Sequence, residues 1–110
     1  MCGSALAQAP LAYPQRNVLM IVPYSPGTGA DIAARALGPR LAERLKFSVV
    51  IDNRTGATGI IGSDTVAKAA PDGHVLLMTA TSFATTPALS AKLPFDPVKS
   101  FAPVVQIAAS

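Results

Sequence analysis

Residues 18–37 read VLMIVPYSPGTGADIAARAL, and this stretch decides the fold. A continuous apolar run, Val18–Val22, is followed by a loop rich in proline and glycine and then by an amphipathic run. Continuous rather than alternating apolar residues are typical of a strand buried on both faces of a parallel sheet. The stretch therefore predicts a strand, a loop and a helix, in that order.

The same order of elements recurs further along the chain. Apolar runs at 49–51, extending toward Asn53, and at 75–79 predict a second and a third strand, and the run at 103–108 predicts a further one. A helix with a kink or a restart at Pro39 follows the first strand, and a helix over 60–70 follows the second. Two βαβ units with right-handed crossovers predict an α/β fold with a parallel sheet, for which we expect the strand order 2-1-3 with a further strand.

The helical pattern and the loops give more detailed expectations. The residues expected to face inward are Ile32, Ala33, Ala36, Leu37, Leu41 and Leu45 in the first helix, and Ile61, Val66 and Ala69 in the second. The sequence PDG at 71–73 predicts the turn that ends the second helix. Short helical turns are expected near 87–91 and 97–101.

Composition narrows the function classes. The chain has 110 residues, of which 50% are hydrophobic and 14% charged, with a net charge of +3. It is too apolar for a disordered chain, and no uncharged apolar run reaches the roughly 18 residues of a membrane span. The basic residues are scattered and aromatic residues are few, so nucleic-acid binding and membrane insertion are not expected.

Cysteine and histidine content limits the chemistry. Cys2 and His74 are the only residues of their types, so an intrachain disulfide, a cysteine-based metal site and a multi-histidine site are excluded within the chain. His74, after the PDG turn, is expected to be half-exposed. The sequence offers no nucleophile–base pair, so we predict a binding protein without a metal or cofactor rather than an enzyme.

Residues 23–31, PYSPGTGAD, allow three interpretations. A dinucleotide fingerprint would use Gly27-Thr28-Gly29 and Asp52 as the ribose-binding acid, but the first glycine comes late after the strand and Ile32 stands where a small residue is needed. A small-anion cradle would use the unpaired N–H groups at the start of the helix. The third interpretation is a structural turn.

The anion interpretation is refined by Tyr24 and Asp31 in this loop and by the loop that follows the third strand. In an open parallel sheet ligands lie beyond the carboxyl ends of the strands, so the order 2-1-3 brings the loops after strands one and three together. Thr81 and Ser82 could then donate hydrogen bonds to a carboxylate, and Tyr24 could form an apolar wall. Asp31 either pairs with the positive helix end or orders water or a cationic group of a ligand.

Residues 1–12 are expected to be the remnant of a signal peptide or a flexible tail. The segments Ala5-Leu6-Ala7 and Ala7-Gln8-Ala9 fit the small-x-small pattern of a cleavage site, although the basic region and the long apolar region of a signal are missing.

Three stretches together resemble the periplasmic solute-binding receptors of tripartite tricarboxylate transporters, the Bug proteins. YPQRNVLMIVPYSPGTGADIAARAL at 13–37 resembles the opening strand, glycine loop and first helix of the family. VVIDNRTGATGIIGSDTVAKAAPDGHVLLMT at 49–79 and LPFDPVKSFAPVVQIA at 93–108 are similar to its next segments. Three such motifs in the right order and spacing are specific, and they cover nearly all of the chain.

The resemblance implies a partial lobe of a type II periplasmic-binding-protein fold, in which residues 13–110 form the N-terminal part of lobe I and the second lobe is absent. It further implies a location in the periplasm, capture of a small carboxylate between two lobes and delivery to a membrane permease. The residues that it assigns to ligand binding are Tyr24, Pro26, Gly27, Thr28, Gly29, Asp31, Thr81, Ser82 and Thr85.

The chain departs from the family pattern at Thr28, where glycine is usual, and at Thr55 and Thr58, where proline and glycine are usual. These departures affect the expected ligand geometry. Two other hypotheses stay open on the sequence: a fragment of a nucleotide-binding α/β enzyme that uses the Gly27-Thr28-Gly29 loop and Asp52, and a truncated product without function.

Overall fold

The structure, a computed structural model, describes residues 13–89, 92–97 and 99–107. In this part of the chain three strands form one parallel sheet with helices against it, which confirms the predicted α/β class. The elements are β1 (Val18–Val22), α1 (Gly29–Leu45), β2 (Val49–Asn53), a 3-10 turn (Ala57–Gly59), α2 (Ile60–Ala67), β3 (Val75–Leu77) and α3 (Ser82–Leu89). The predicted tail at 1–12 lies outside the described residues.

The sheet has the order β2-β1-β3, as predicted, with β1 in the centre. Val18 pairs with Val49, Val22 with Asn53, and Ile21 with Leu77, all in parallel register. Ile21 and Val22 are fully buried, and each such side chain contributes roughly 1.5–3 kcal/mol relative to exposure. The parallel register places the carboxyl ends of all three strands at one edge of the sheet.

Helix α1 packs on β1 and β2, but not with all of the residues expected. Leu37 and Leu41 pack against the core around Met20 and Met78, as predicted, whereas Ile32 is 61% exposed. The inward stripe contains Asp31, Ala34 and Gly38 instead. Because neighbouring helix residues are about 100° apart, an inward Asp31 turns Ile32 toward solvent.

Proline 39 does not divide this helix. A single helix runs from Gly29 to Leu45 with Pro39 inside it, so a restart at Pro39 is wrong, and the alternative of a kink there stays a prediction. Ala36, also expected to face inward, is exposed.

Helix α2 is shorter than predicted and lies close to the end of β1. A Cβ atom on Gly62 would come within 2.7 Å of the Arg54 carbonyl oxygen and of Pro23, so only glycine fits this approach. With Gly62 inward, the neighbouring Ile61 is 53% exposed, and the expectation that it faces the core is wrong.

The C-terminal part differs most from the sequence expectations. Helix α3 begins at Ser82, well before the turn expected at 87. Near the turn expected at 97–101, the Ser100 N–H donates to the Asp96 carbonyl oxygen at 2.9 Å. The described residues 103–107 form no strand, and Val104 is 82% exposed, because an apolar run becomes a strand only where a neighbouring strand pairs with it.

His74 is buried rather than half-exposed, at 6% exposure. Its Nε2 accepts a hydrogen bond from the Gln15 N–H at 3.0 Å, and the Tyr13 ring lies against it with centroids 5.1 Å apart. The segment before β1 therefore covers this side chain, a tertiary contact that the local turn pattern does not show.

Candidate functional site

Three loops meet at the carboxyl edge of the sheet. Loop 1 (residues 23–28) follows β1, loop 2 (residues 54–56) follows β2, and loop 3 (residues 78–81) follows β3. The side chain of Tyr24 in loop 1 reaches loop 3, so the predicted proximity of the loops after the first and third strands is confirmed.

Tyr24 makes polar contacts at both of its ends. Its hydroxyl lies 3.0 Å from Thr79 Oγ1 and 2.7 Å from Ser82 Oγ, and it accepts a hydrogen bond from the Ala80 N–H at 3.2 Å. Its backbone carbonyl accepts from Asn53 Nδ2 at 3.1 Å. One residue thus links the ends of all three strands, while its ring packs on the core.

Asp31 is a buried carboxylate in the first turn of α1, with 3% exposure. Oδ2 accepts from the Gly27 N–H at 2.9 Å, and Oδ1 accepts from Asn53 Nδ2 at 2.9 Å and from Arg35 Nε at 3.0 Å. The Gly27 hydrogen bond, followed by those of Asn53 and Arg35, lowers the pKa of Asp31 below its ordinary value. Asp31 is therefore ionised, and Arg35 offsets the charge that would otherwise repel an anion.

Gly27 permits the backbone of loop 1 to fold over this carboxylate. Its φ of +92° is a conformation that favours glycine. The Gly27 N–H is engaged with Asp31. At the start of α1 the N–H groups of Gly29, Ala30 and Asp31 pair with no acceptor among the described residues, because the first helical hydrogen bond is donated by Ile32 to Thr28.

Thr28 precedes α1 as its N-cap but does not cap it with its side chain. Its Oγ1 donates instead to the Ser25 carbonyl oxygen at 2.9 Å. Pro26, Gly27, Thr28 and Gly29 are all exposed. The first turn of α1 therefore presents N–H groups and the positive end of the helix dipole at the sheet edge, an arrangement that binds anions.

The three hydroxyl residues assigned to loop 3 and α3 differ in their surroundings. Ser82 Oγ contacts the Tyr24 hydroxyl, and Thr85 Oγ1 donates to the Ser82 carbonyl oxygen at 3.1 Å. Thr81 is exposed at the start of α3, and its carbonyl oxygen accepts from the Ala84 N–H. The structure brings Tyr24 and Ser82 into contact, and the ligand roles of all three hydroxyls stay predictions.

Two residues of this network carried no site role on the sequence, Arg35 and Asn53. The spacing of Asp31 and Arg35, four residues apart on a helix, could have indicated the ion pair. The sequence placed Asn53 only at the end of the second strand, yet its side chain contacts loop 1 and α1. By contrast, Asp52, the acid of the nucleotide hypothesis, pairs with Arg54 at 2.9 Å.

Within residues 13–89, 92–97 and 99–107, no three His, Cys, Asp or Glu side chains come together in a group that could hold a metal ion. None of the helices described for this chain is long and apolar enough to cross a membrane.

Comparison with known proteins connects this geometry to a family. The family model described as "Tripartite tricarboxylate transporter family receptor" matches residues 33–110. Among curated proteins, the chain is 39% identical over 103 residues to the "UPF0065 protein in tcbD-tcbE intergenic region" of Pseudomonas sp., covering 94% of this chain and 31% of the relative. It is 39% identical over 97 residues to BugT of Bordetella pertussis, covering 86% and 30%. The chain thus spans under a third of the length of these relatives.

Solved structures give the same result. The periplasmic binding protein BugD superimposes with a TM-score of 0.78 at 40% identity, over 83% of this chain and 30% of BugD. MatC of Rhodopseudomonas palustris, solved with bound malate, has a TM-score of 0.70 at 35% identity, over 84% of this chain and 32% of MatC. An R. palustris protein solved with adipate has a TM-score of 0.73 at 34% identity, over 78% and 29%. The predicted periplasmic-binding-protein fold is confirmed.

Proposed function

Because the chain belongs to the receptor family of tripartite tricarboxylate transporters, we propose that it is part of an extracytoplasmic receptor that captures a small carboxylate. In this proposal the receptor catalyses no reaction and delivers the bound solute to a membrane permease. The described residues provide one wall of a binding crevice. In this proposal they belong to the first lobe, and a second lobe supplies the opposite wall, in keeping with relatives about three times as long.

One observation carries the proposal: the N–H groups of Gly29, Ala30 and Asp31 at the first turn of α1 have no acceptor in the described part of the chain. They lie at the carboxyl edge of a parallel sheet, where ligands of such folds bind. A carboxylate oxygen accepts hydrogen bonds from backbone N–H groups and is attracted by the helix dipole. Residues 25–29 are exposed, so an anion has access to this turn.

The periplasmic location is part of the same proposal. BugD, which superimposes well on this chain, is described as a periplasmic binding protein. The substrate class is supported by two structural relatives, one solved with malate and one with adipate. Both acids carry two carboxylates, so one could bind the turn of α1 and the other the opposing lobe.

Thermal unfolding of the full-length protein that contains this chain tests the proposal. We expect malate or adipate to raise the unfolding temperature, because a ligand present at a hundred times its Kd adds about 2.7 kcal/mol to the free energy of unfolding. Isothermal calorimetry with the same acids would then give the affinity directly. Stabilisation by NAD alone would support the nucleotide hypothesis and contradict the receptor.

A further inference from the structure

Asn53 is the last residue of β2, and its side chain connects three separate parts of the candidate site. Nδ2 donates to the Tyr24 carbonyl oxygen at 3.1 Å and to Asp31 Oδ1 at 2.9 Å. Oδ1 accepts from Arg35 Nη2 at 2.8 Å. The three recorded hydrogen bonds of this side chain therefore lead to loop 1 and the first two turns of α1.

The sheet register explains why this side chain reaches loop 1. Asn53 pairs with Val22, the last residue of β1, and the Arg54 N–H then donates to the Val22 carbonyl oxygen at 2.9 Å. The chain leaves β1 through Pro23, which is buried, and Tyr24 is the next residue of loop 1. The Asn53 side chain therefore donates to loop 1 just beyond the last residue that β1 pairs with β2.

Asn53 also completes the surroundings of the buried carboxylate. Asp31 has two oxygens, of which one accepts from the Gly27 N–H and the other from Asn53 and Arg35. Without Asn53, Oδ1 keeps only Arg35, which is itself half-exposed and loses its own contact with Asn53 Oδ1. The hydrogen bond between Gly27 and Asp31 would then be free to open.

We propose that Asn53 is a positioning residue for carboxylate binding, which holds loop 1 and the first turn of α1 in the arrangement that presents the N–H groups of Gly29 and Ala30. The proposal rests on the proposed function and deepens it. Asn53 acts through Tyr24 and Asp31 and does not itself touch the ligand. Hydrogen bonds to residues beside a ligand hold those residues within about 0.5 Å of the geometry that binding requires.

The test compares Asn53→Ala with the wild type in the full-length protein, using malate and adipate as probes. We expect the variant to bind whichever acid the wild type binds about tenfold more weakly, since loosened preorganisation reduces affinity. Hydrogen exchange at the Gly27 amide should become faster in the variant even without a ligand. A loss of global stability alone would affect the amides of β1 as well, so selective exchange at Gly27 separates positioning from folding.

Two further variants sharpen the test. Asp52→Ala removes the neighbouring carboxylate, which pairs with Arg54, and should leave both the affinity and the exchange at Gly27 unchanged. Asn53→Asp replaces the amide donor by a carboxylate, whose oxygen would face the Tyr24 carbonyl oxygen and Asp31 Oδ1. It should therefore speed exchange at Gly27 at least as much as Asn53→Ala does.

Each outcome is decisive. Wild-type affinity in Asn53→Ala, or Gly27 exchange that equals that of the wild type, would overturn the positioning role. Wild-type exchange at Gly27 in Asn53→Asp would contradict the donation of hydrogen bonds by Asn53 to Tyr24 and Asp31. If the wild type binds neither acid, the proposed function fails for these ligands, and exchange at Gly27 still decides whether Asn53 holds loop 1.

Discussion

Two polar clusters lie at opposite edges of the same parallel sheet. At the carboxyl edge Asp31 is buried and accepts hydrogen bonds from Gly27, Asn53 and Arg35. At the amino edge the Asp72 side chain is 40% exposed and pairs with Arg16 at 2.7 Å. The first carboxylate arranges a loop beside unpaired N–H groups, whereas the second fastens the segment before β1 to the turn before β3. In the proposed receptor, similar chemistry thus serves ligand binding at one edge and chain anchoring at the other.

The largest expected difference between the clusters comes from removing each carboxylate charge. Asp31→Asn should weaken carboxylate binding about tenfold or more, because it disturbs the turn that presents the N–H groups. Asp72→Asn removes a contact with exposed Arg16 and should leave the affinity unchanged while lowering stability slightly. Calorimetry on both variants checks this, and equal losses of affinity would contradict the division of roles.

Tyr24 and Tyr13 provide a matched comparison, for which we expect a change in affinity of intermediate size. Tyr24→Phe removes the hydroxyl that contacts Thr79 and Ser82 at the carboxyl edge, and Tyr13→Phe removes the hydroxyl that donates to the Gly73 carbonyl oxygen at the amino edge. We expect Tyr24→Phe to lower the affinity by roughly fivefold, since one hydrogen bond contributes about 1 kcal/mol. Tyr13→Phe should not change it, and a loss in Tyr13→Phe alone would reverse the assignment.

The smallest expected effect is a loss of stability in acid, and both carboxylate clusters should contribute to it. The Gly27 N–H lowers the pKa of Asp31, and the Arg16 hydrogen bond lowers the pKa of Asp72, from an ordinary value of 3.8. A carboxyl whose pKa is lower in the folded state stabilises the fold at any pH above its pKa in the unfolded chain. This stabilisation is lost as the pH falls below 3.8 toward the lower pKa of the folded state.

Urea unfolding between about pH 2 and 7 measures this dependence. The midpoint should be steady in the upper part of the range and fall in the acid part. Asp31→Asn and Asp72→Asn should each reduce the fall. A midpoint independent of pH would contradict the two hydrogen-bonded carboxylates.

The sequence predicted the framework because the relevant signals are local. The apolar run Val18–Val22, the glycine loop and the helical repeat after it give β1, loop 1 and α1 directly, and the alternation of strands and helices gives the parallel sheet. Which residues of each helix face the core could not be predicted from the sequence, because this depends on close contacts such as that of Gly62 with Arg54 and Pro23.

The polar network was less predictable than the framework. Asn53 contacts Tyr24 and Asp31 because the parallel register sets it opposite Val22, a relation between residues about 30 positions apart. A single sequence identifies a loop with unpaired N–H groups, but side-chain partners that arise from register need the fold. For the same reason the apolar run at 103–107 suggested a strand that the described residues do not form.

The central claim, that backbone N–H groups at the start of α1 bind the carboxylate, is tested most directly at Gly29. Gly29 is the first residue of α1, where proline is favoured, and Thr28 before it has the extended backbone that proline requires. No described atom lies within 4 Å of a Cβ atom placed on Gly29. Gly29→Pro therefore deletes one N–H group, and Gly29→Ala is the matched control that keeps it.

We predict that Gly29→Pro weakens malate or adipate binding about ten- to a hundredfold, the effect of losing one hydrogen bond to a charged group, while Gly29→Ala binds like the wild type. Both variants should unfold at temperatures close to that of the wild type. Equal affinities of Gly29→Pro and Gly29→Ala would contradict the account.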